Sequence, residues 1–209
     1  MWDAQTGKEL FTLKGHDDWV RSAVYSPDGE RIVTASSDKT AKVWEAKTGK
    51  ELFTLIGHKD HDAGGWDDGV MSAAYSPDGE RIVTASKDKT AKIWEAQTGK
   101  ELMTLTGHDG AVRSAVYSPN GQWIVTASWD RTAKVWDAQT GQELFTLKGH
   151  DGWVWSVAYS PDGQRIVTAG GDGAVQIYTT DMDELLEIAK SRVTRQLTVE
   201  EKKRYRVPD

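Results

Sequence analysis

The 209-residue chain contains no cysteine. That excludes a disulfide framework, a thiolate zinc site and a cysteine nucleophile, and it leaves the redox compartment open. No apolar run approaches about 18 residues, and the opening Met1-Trp2-Asp3-Ala4-Gln5-Thr6-Gly7 lacks the basic and apolar regions of a secretory signal. These absences argue against a membrane-spanning helix and signal-directed secretion, and the expected location is the cytoplasm. An excess of basic charge is missing too: 26 Lys+Arg stand against 32 Asp+Glu, a formal charge of −6. Without a basic footprint, no nucleic-acid or membrane partner is expected. What is present, 38% hydrophobic residues with 20 Gly and 10 Trp, suits a soluble globular chain. At roughly 150 residues per domain it makes one large domain or two small ones, and it can bury well over half of its unfolded surface.

The chain repeats itself. Gly-His recurs at Gly15-His16, Gly57-His58, Gly107-His108 and Gly149-His150, in steps of 42, 50 and 42 residues. Trp2-Asp3, Trp44-Glu45, Trp94-Glu95 and Trp136-Asp137 follow the same spacing, with a degenerate copy at Tyr178-Thr179. The one irregularity is an eight-residue insertion between His58 and Val70. Ser26-Pro27-Asp28-Gly29 returns as Ser76-Pro77-Asp78-Gly79, Ser118-Pro119-Asn120-Gly121 and Ser160-Pro161-Asp162-Gly163. Each unit carries four short runs of Val, Ile, Thr and aromatics, in the first unit Val20–Ser26, Arg31–Ser36, Thr40–Trp44 and Glu51–Leu55, cut by turn residues. That pattern predicts short antiparallel strands, a to d. Ser-Pro-Asp-Gly supplies the first turn, because Pro fixes φ and Gly accepts positive φ; Ser37-Asp38-Lys39 makes the second and Lys47-Thr48-Gly49-Lys50 the third.

With its Gly-His and Trp-Asp signatures at a period of about 40 to 45 residues, the chain resembles the Trp-Asp (WD) repeat family of β-propellers over residues 2 to about 178. The resemblance implies an all-β fold of four four-stranded blades over residues 1–178, with blades starting near 16, 58, 108 and 150 and a spare strand d at 9–13. One blade cannot bury both faces alone, so neighbours must stack. It also implies a hydrogen-bonded chain inside each blade: His16, Thr34, Asp38 and Trp44; His58, Thr84, Asp88 and Trp94; His108, Thr126, Asp130 and Trp136; then His150, Thr168 and Asp172, with Tyr178 where Trp belongs. A buried carboxylate needs donors, and imidazole, hydroxyl and indole supply and relay them. Ser36, on the same strand face as Thr34, is a weaker substitute. The last blade, lacking its indole, is expected to be the loosest.

Other chemistry is weighed against this. Asp, His and Ser/Thr sets invite a catalytic reading, but no enzyme needs four copies of one triad, so no catalytic residue is assigned. His58, Asp60, His61, Asp62, Asp67 and Asp68 in the insertion have a divalent-cation composition. Against that, His58 is claimed by its blade and Gly64-Gly65 leaves the loop backbone unconstrained; no metal or other cofactor is expected. No phosphate-binding glycine motif follows a strand.

Functional interest falls on the positions where near-identical repeats disagree. Before strand a stand Trp19, Gly69, Ala111 and Trp153; just inside it Arg21, Met71, Arg113 and Trp155; before the turn Asp, Ser37, Lys87, Trp129 and Gly171. Strand alternation brings the d–a and b–c loops to one end of every blade. With Trp66 from the insertion, that face gathers Trp19, Arg21, Trp66, Met71, Lys87, Arg113, Trp129, Trp153 and Trp155. Trp and Arg are enriched at binding hot spots, and a protein or peptide partner is expected here.

Beyond the repeats, Thr180-Asp181-Met182-Asp183 reads as a helix start, with an apolar stripe at Leu185, Leu186, Ile188, Ala189 and Val193. A capping box at Thr198-Val199-Glu200-Glu201 opens a second short helix to about Tyr205. This tail, 179–209, is similar to the end of large bacterial WD-repeat signalling proteins, which implies a C-terminus near Asp209 and an N-terminal effector domain that this chain lacks. The helices are expected to pack on the propeller, since the stripe would otherwise be exposed. Met1 falls mid-strand by repeat position. The final blade has no strand d of its own, so Glu9–Leu13 is expected to pair beside Ala174–Tyr178, covering an aggregation-prone edge. Small blade-face residues favour a larger ring than four, reached by two chains making eight blades or as part of a longer chain. The leading function is a binding module, a sensor half of a larger receptor; the alternative is a self-assembling structural propeller, and an enzyme comes third because fold alone licenses none of them.

Overall fold

A computed structural model describes residues 4–59 and 69–180. Fifteen strands follow in order: β1 (Val20–Tyr25), β2 (Arg31–Ser36), β3 (Ala41–Glu45), β4 (Glu51–Leu55), β5 (Val70–Tyr75), β6 (Arg81–Ser86), β7 (Ala91–Glu95), β8 (Glu101–Leu105), β9 (Val112–Tyr117), β10 (Trp123–Ser128), β11 (Ala133–Asp137), β12 (Glu143–Leu147), β13 (Val154–Tyr159), β14 (Arg165–Gly170) and β15 (Val175–Thr179). They form four antiparallel meanders, β1–β4, β5–β8, β9–β12 and β13–β15, which are blades one to four. Apart from Thr179, the last residue of β15, these strands belong to the unit Met1–Tyr178. The second unit, Thr179–Asp209, where the sequence predicts helices packed on the propeller, lies outside the described residues apart from Thr179 and Thr180.

The turns form as their residues require. In blade one, the Ser26 amide bonds the Arg31 carbonyl at 2.9 Å, the Gly29 amide bonds the Ser26 carbonyl at 2.9 Å, and Gly29 takes φ 73°. In the b–c turn a residue with a side chain adopts the left-handed conformation, Lys39 (φ 72°), Lys89 (70°) and Arg131 (72°), with Gly173 in the fourth blade. The preceding Asp makes this tolerable: Asp38 Oδ1 accepts the Thr40 amide at 2.9 Å and its hydroxyl at 2.6 Å, closing an Asx turn.

Blades stack through apolar faces of small and branched residues. Val33, Ala35, Ala41, Val43 and Leu55 of blade one are buried against Val70, Ala73, Tyr75, Ile82, Trp94 and Ala96 of blade two. Equivalent sets join blades two and three, and three and four. Arg31 Nη1 donates across the first junction to the Ala96 carbonyl at 2.6 Å, and Arg81 Nη1 across the second to the Ala138 carbonyl at 2.8 Å.

The sequence leaves open whether Glu9–Leu13 completes the last blade within one chain or between two. The fourth sheet has three strands among the described residues, β13–β15, and Glu9–Leu13 is not one of its strands within the single chain. Instead Phe11 and Leu13 lie against the c–d turn of blade one, with Leu13 packed on Ile32, Trp44 and Ala46. The packing of apolar side chains on the Trp44 face holds the segment on blade one.

Candidate functional site: a tryptophan-rich loop face

The interior of each blade carries the expected chain of bonds. His16 Nδ1 lies 2.7 Å from Asp38 Oδ2, His16 Nε2 2.7 Å from Thr34 Oγ1, and Trp44 Nε1 donates to Thr34 Oγ1 at 2.8 Å. The same geometry recurs through His58, Asp88, Thr84 and Trp94 (2.8, 2.8 and 2.8 Å) and through His108, Asp130, Thr126 and Trp136 (2.6, 2.7 and 2.9 Å). One donor direction satisfies every atom: indole N–H to threonine oxygen, threonine O–H to Nε2, and Nδ1–H to the carboxylate. In blade four His150 keeps Asp172 (2.9 Å) and Thr168 (2.7 Å), while the Tyr178 hydroxyl reaches Gln176 Oε1 at 2.8 Å. Ser36 is no substitute for Thr34; its hydroxyl donates to the Asp18 carbonyl at 3.1 Å.

Burial is the largest single influence on the Asp38, Asp88 and Asp130 carboxyls and works to raise them. Bonds from the His ring, the turn Thr and backbone amides together outweigh it and hold all three below the ordinary aspartate value. At Asp172 the Ala174 amide is the main cause, followed by opposing burial and then His150, and the carboxyl sits at about 2. Both ring nitrogens of His16, His58, His108 and His150 are thus engaged in holding a turn, which is structural work.

The variable face is built by two backbone devices repeated in each blade. The first is a clamp between the d–a and b–c loops: the amides of Ser37, Lys87, Trp129 and Gly171 donate to the carbonyls of Trp19, Gly69, Ala111 and Trp153, at 2.9, 3.2, 2.9 and 2.7 Å. Each clamp sets one large residue beside one small: Trp19 with Ser37, Lys87 with Gly69, Trp129 with Ala111, Trp153 with Gly171. The second is a β-bulge in strand a, at Arg21, Met71, Arg113 and Trp155, where the register against strand b shifts. A bulge re-aims the side chain of its extra residue, and these four are the third variable position. Sequence comparison singled out the positions; the reciprocal sizes within each clamp were a readable signal that it did not use.

The result is an aromatic cluster spanning blades three and four. Trp129 stacks on Trp153 with ring centroids 4.8 Å apart and planes at 18°, and Trp155 meets Trp129 and Trp153 edge-on at 5.9 and 5.6 Å. Gly171 makes room for this, since a Cβ there would lie 2.9 Å from Trp155 Nε1. The Arg113 guanidinium sits 5.3 Å from the Trp155 ring centroid and its Nη1 3.3 Å from Met71 Sδ, linking blade two to the cluster. In blade one Arg21 lies 5.2 Å over Trp19 and its Nε donates to Ser37 Oγ at 2.7 Å. Trp19, Trp153 and Trp155 are 64%, 49% and 39% exposed, and Trp129 is half-buried with its indole N–H unpartnered. Lys87 is half-buried; Met71 is buried and supports Arg113 from beneath.

Trp66, Asp60, His61, Asp62, Asp67 and Asp68 lie outside the described residues. Among those described, no group of three or more His, Asp or Glu is placed to hold a metal ion, and no helix is long and apolar enough to cross a membrane. At the opposite end of the strands, residues including Tyr75, Pro77, Tyr117, Pro119 and Tyr159 line a shallow apolar concavity of about 370 Å³. Burial pushes the Tyr75 phenol up to about 12 and raises Tyr117 and Tyr159 as well.

Comparison with known proteins bears on this architecture. Short stretches of the chain are similar to Lissencephaly-1 homolog 1 of Paramecium tetraurelia (44% identical over 43 residues), Nuclear distribution protein nudF 2 of Aspergillus clavatus (48% over 42) and Coronin-7 of Mus musculus (42% over 43). Each stretch is about a fifth of this chain, and it spans 11%, 9% and 5% of those proteins. The pattern of the "WD domain, G-beta repeat" family (WD40) matches residues 7–45, 49–95, 99–137 and 141–179, and with four repeats, His–Asp–Thr–Trp blade interiors and stacked antiparallel meanders, the chain belongs to that family.

Proposed function

We propose that this chain is a non-catalytic recognition module whose variable loop face docks a protein or peptide. The observation that carries the reading is the cluster of half-buried Trp129 with exposed Trp153 and Trp155, with Arg113 across it. Large aromatics kept at a solvent-facing surface are explained by use, and a rigid Trp/Arg patch has the composition of a binding hot spot. Trp19 with Arg21 and Lys87 extend the same face. A role as the sensor half of a larger receptor is the more specific form of this reading.

Pull-down with the intact chain against a Trp129/Trp153/Trp155 alanine triple tests the reading, with Gln139→Ala in a c–d turn at the other end as control. The expected result is a partner lost by the triple and kept by the control. Equal capture by all three proteins would overturn it.

A second reading, self-assembly of an incomplete ring, is favoured by a different observation. The outward face of the last blade carries Val175 and Ile177, both about two-thirds exposed, where inner blades bury the equivalent residues. A second chain making eight blades, or further blades of a longer chain, would cover it.

A further inference from the structure

We propose that the two open ends of the blade stack meet in a second copy of this chain, closing one eight-bladed ring from two chains. The inference deepens the assembly reading and does not depend on the tryptophan face.

The internal junctions are the template. At each, a forward face (Val33, Ala35, Ala41, Val43 in blade one) is buried against a backward face (Val70, Ala73, Tyr75 in blade two). Shifted by the repeat, the forward face of blade four is Val167, Ala169, Val175 and Ile177, and the backward face of blade one is Val20, Ala23 and Tyr25. Val70, Val112 and Val154 are fully buried, whereas Val20 is 54% exposed; Tyr75 and Tyr117 are buried and Tyr25 is exposed. The two uncovered surfaces are therefore the halves of an interface that this chain already makes three times.

The N-terminal segment supplies the rest. Phe11 Cδ2 and Leu13 Cδ2 lie 2.7 and 3.2 Å from the Cβ position of Gly49, as Phe53 and Leu55 of strand β4 lie 2.7 and 3.1 Å from that of Gly99 in the next blade. Glu9–Leu13 is thus seated on blade one where the strand d of a preceding blade belongs. Its Thr12 hydroxyl donates to Glu9, as the Thr54 hydroxyl donates to Glu51. Among the described residues, the blade without a strand d is blade four, whose sheet ends at β15. Copying the β3/β4 register, in which Trp44, Val43, Lys42 and Ala41 face Glu51, Phe53, Thr54 and Leu55, pairs Tyr178, Ile177, Gln176 and Val175 of one copy with Glu9, Phe11, Thr12 and Leu13 of the other. Gln176 then offers its amide to Glu9, where Lys42 bonds Glu51 at 3.0 Å. Arg165 stands where Arg31 and Arg81 cross to the next blade, and the Ala46 carbonyl is its equivalent acceptor. Lys47 replaces the Gln97 that Arg31 also reaches at 2.8 Å, so only the carbonyl half of that contact is reproduced.

A second copy is the occupant because the junction asks for the chain's own residues, and two copies make eight blades at about 45° each, within the range of propellers, where three would make twelve.

Analytical ultracentrifugation of the full chain from about 1 to 100 μM, a range that spans micromolar dissociation constants, tests this. A species of twice 23.2 kDa is expected. Val175→Glu/Ile177→Glu and Val20→Glu/Tyr25→Glu, at residues exposed in the single chain, should each weaken the dimer at least tenfold while circular dichroism stays native. Mixing the two variants should restore a 1:1 dimer through the one intact junction. A monomer throughout, a larger assembly, or a dimer sensitive to only one of the two variants would overturn the proposal. A monomer that still captures a partner through its tryptophans would sink this inference alone; a dimer that captures none would sink the recognition reading alone.

Discussion

Across the repeats, the blade interior and the loop face treat tryptophan in opposite ways. Trp44, Trp94 and Trp136 are each buried with the indole N–H donated to a threonine, while Trp19, Trp153 and Trp155 stand exposed on loops and bulges. The interior repeats because each blade must solve one problem, satisfying a carboxylate inside a narrow sandwich. The loop face varies because its clamp and bulge fix only backbone, leaving side-chain identity open. The positions that hold the blade together and those left free to vary are therefore separate within one repeat.

Substitutions should separate the two regions by size of effect. The largest loss is expected for Trp94→Ala, which empties a fully buried site and strips a bond from Thr84; about 3–5 kcal/mol is the expected cost in urea unfolding. Thr84→Val keeps the volume but leaves His58 and the Trp94 indole short of a partner, for about 1–3 kcal/mol. A Trp94→Ala chain as stable as the parent would break the comparison at its root.

Acid should probe the interior next. Asp38, Asp88 and Asp130 are held below the ordinary aspartate value in the fold, so the unfolded chain takes up protons first. Their contribution is complete above about pH 4, the unfolded aspartate range, and is lost as pH falls through the lowered folded values. The melting temperature should drop steeply below that point, and Asp88→Asn should make the drop shallower. An unchanged acid slope in Asp88→Asn would show that the carboxylate is not what the blade holds.

The smallest effect belongs to the face. Trp19→Ala, at an exposed loop position, should shift stability by no more than about 0.5 kcal/mol. A loss near that of Trp94→Ala would show that Trp19 packs in solution and does not wait for a partner.

Much of this was legible in the sequence, because four near-copies aligned within one chain mark what each blade needs: the strands, the Ser-Pro-Asp-Gly turns and the His16, Thr34, Asp38 and Trp44 set could be placed residue by residue. The positions of the proposed binding face stand out in the sequence as the places where copies disagree. The bulges at Arg21, Met71, Arg113 and Trp155 were not, because they come from register between strands and leave no distinct residue type. Nor was the burial of Met71, which depends on Arg113 crossing from the next blade. The seat of Glu9–Leu13 on blade one was not legible, because strand counting weighs hydrogen-bond edges, whereas Phe11 and Leu13 follow the apolar surface at Gly49 and Trp44.

The separation of interior from face can be read in one measurement, the indole N–H signals in a proton–nitrogen correlation spectrum of the full chain, titrated with a peptide selected for binding to it. The account predicts that signals of Trp19, Trp129, Trp153 and Trp155 move while those of Trp44, Trp94 and Trp136 stay in place. Movement of the three interior signals with the loop-face signals unchanged would contradict it.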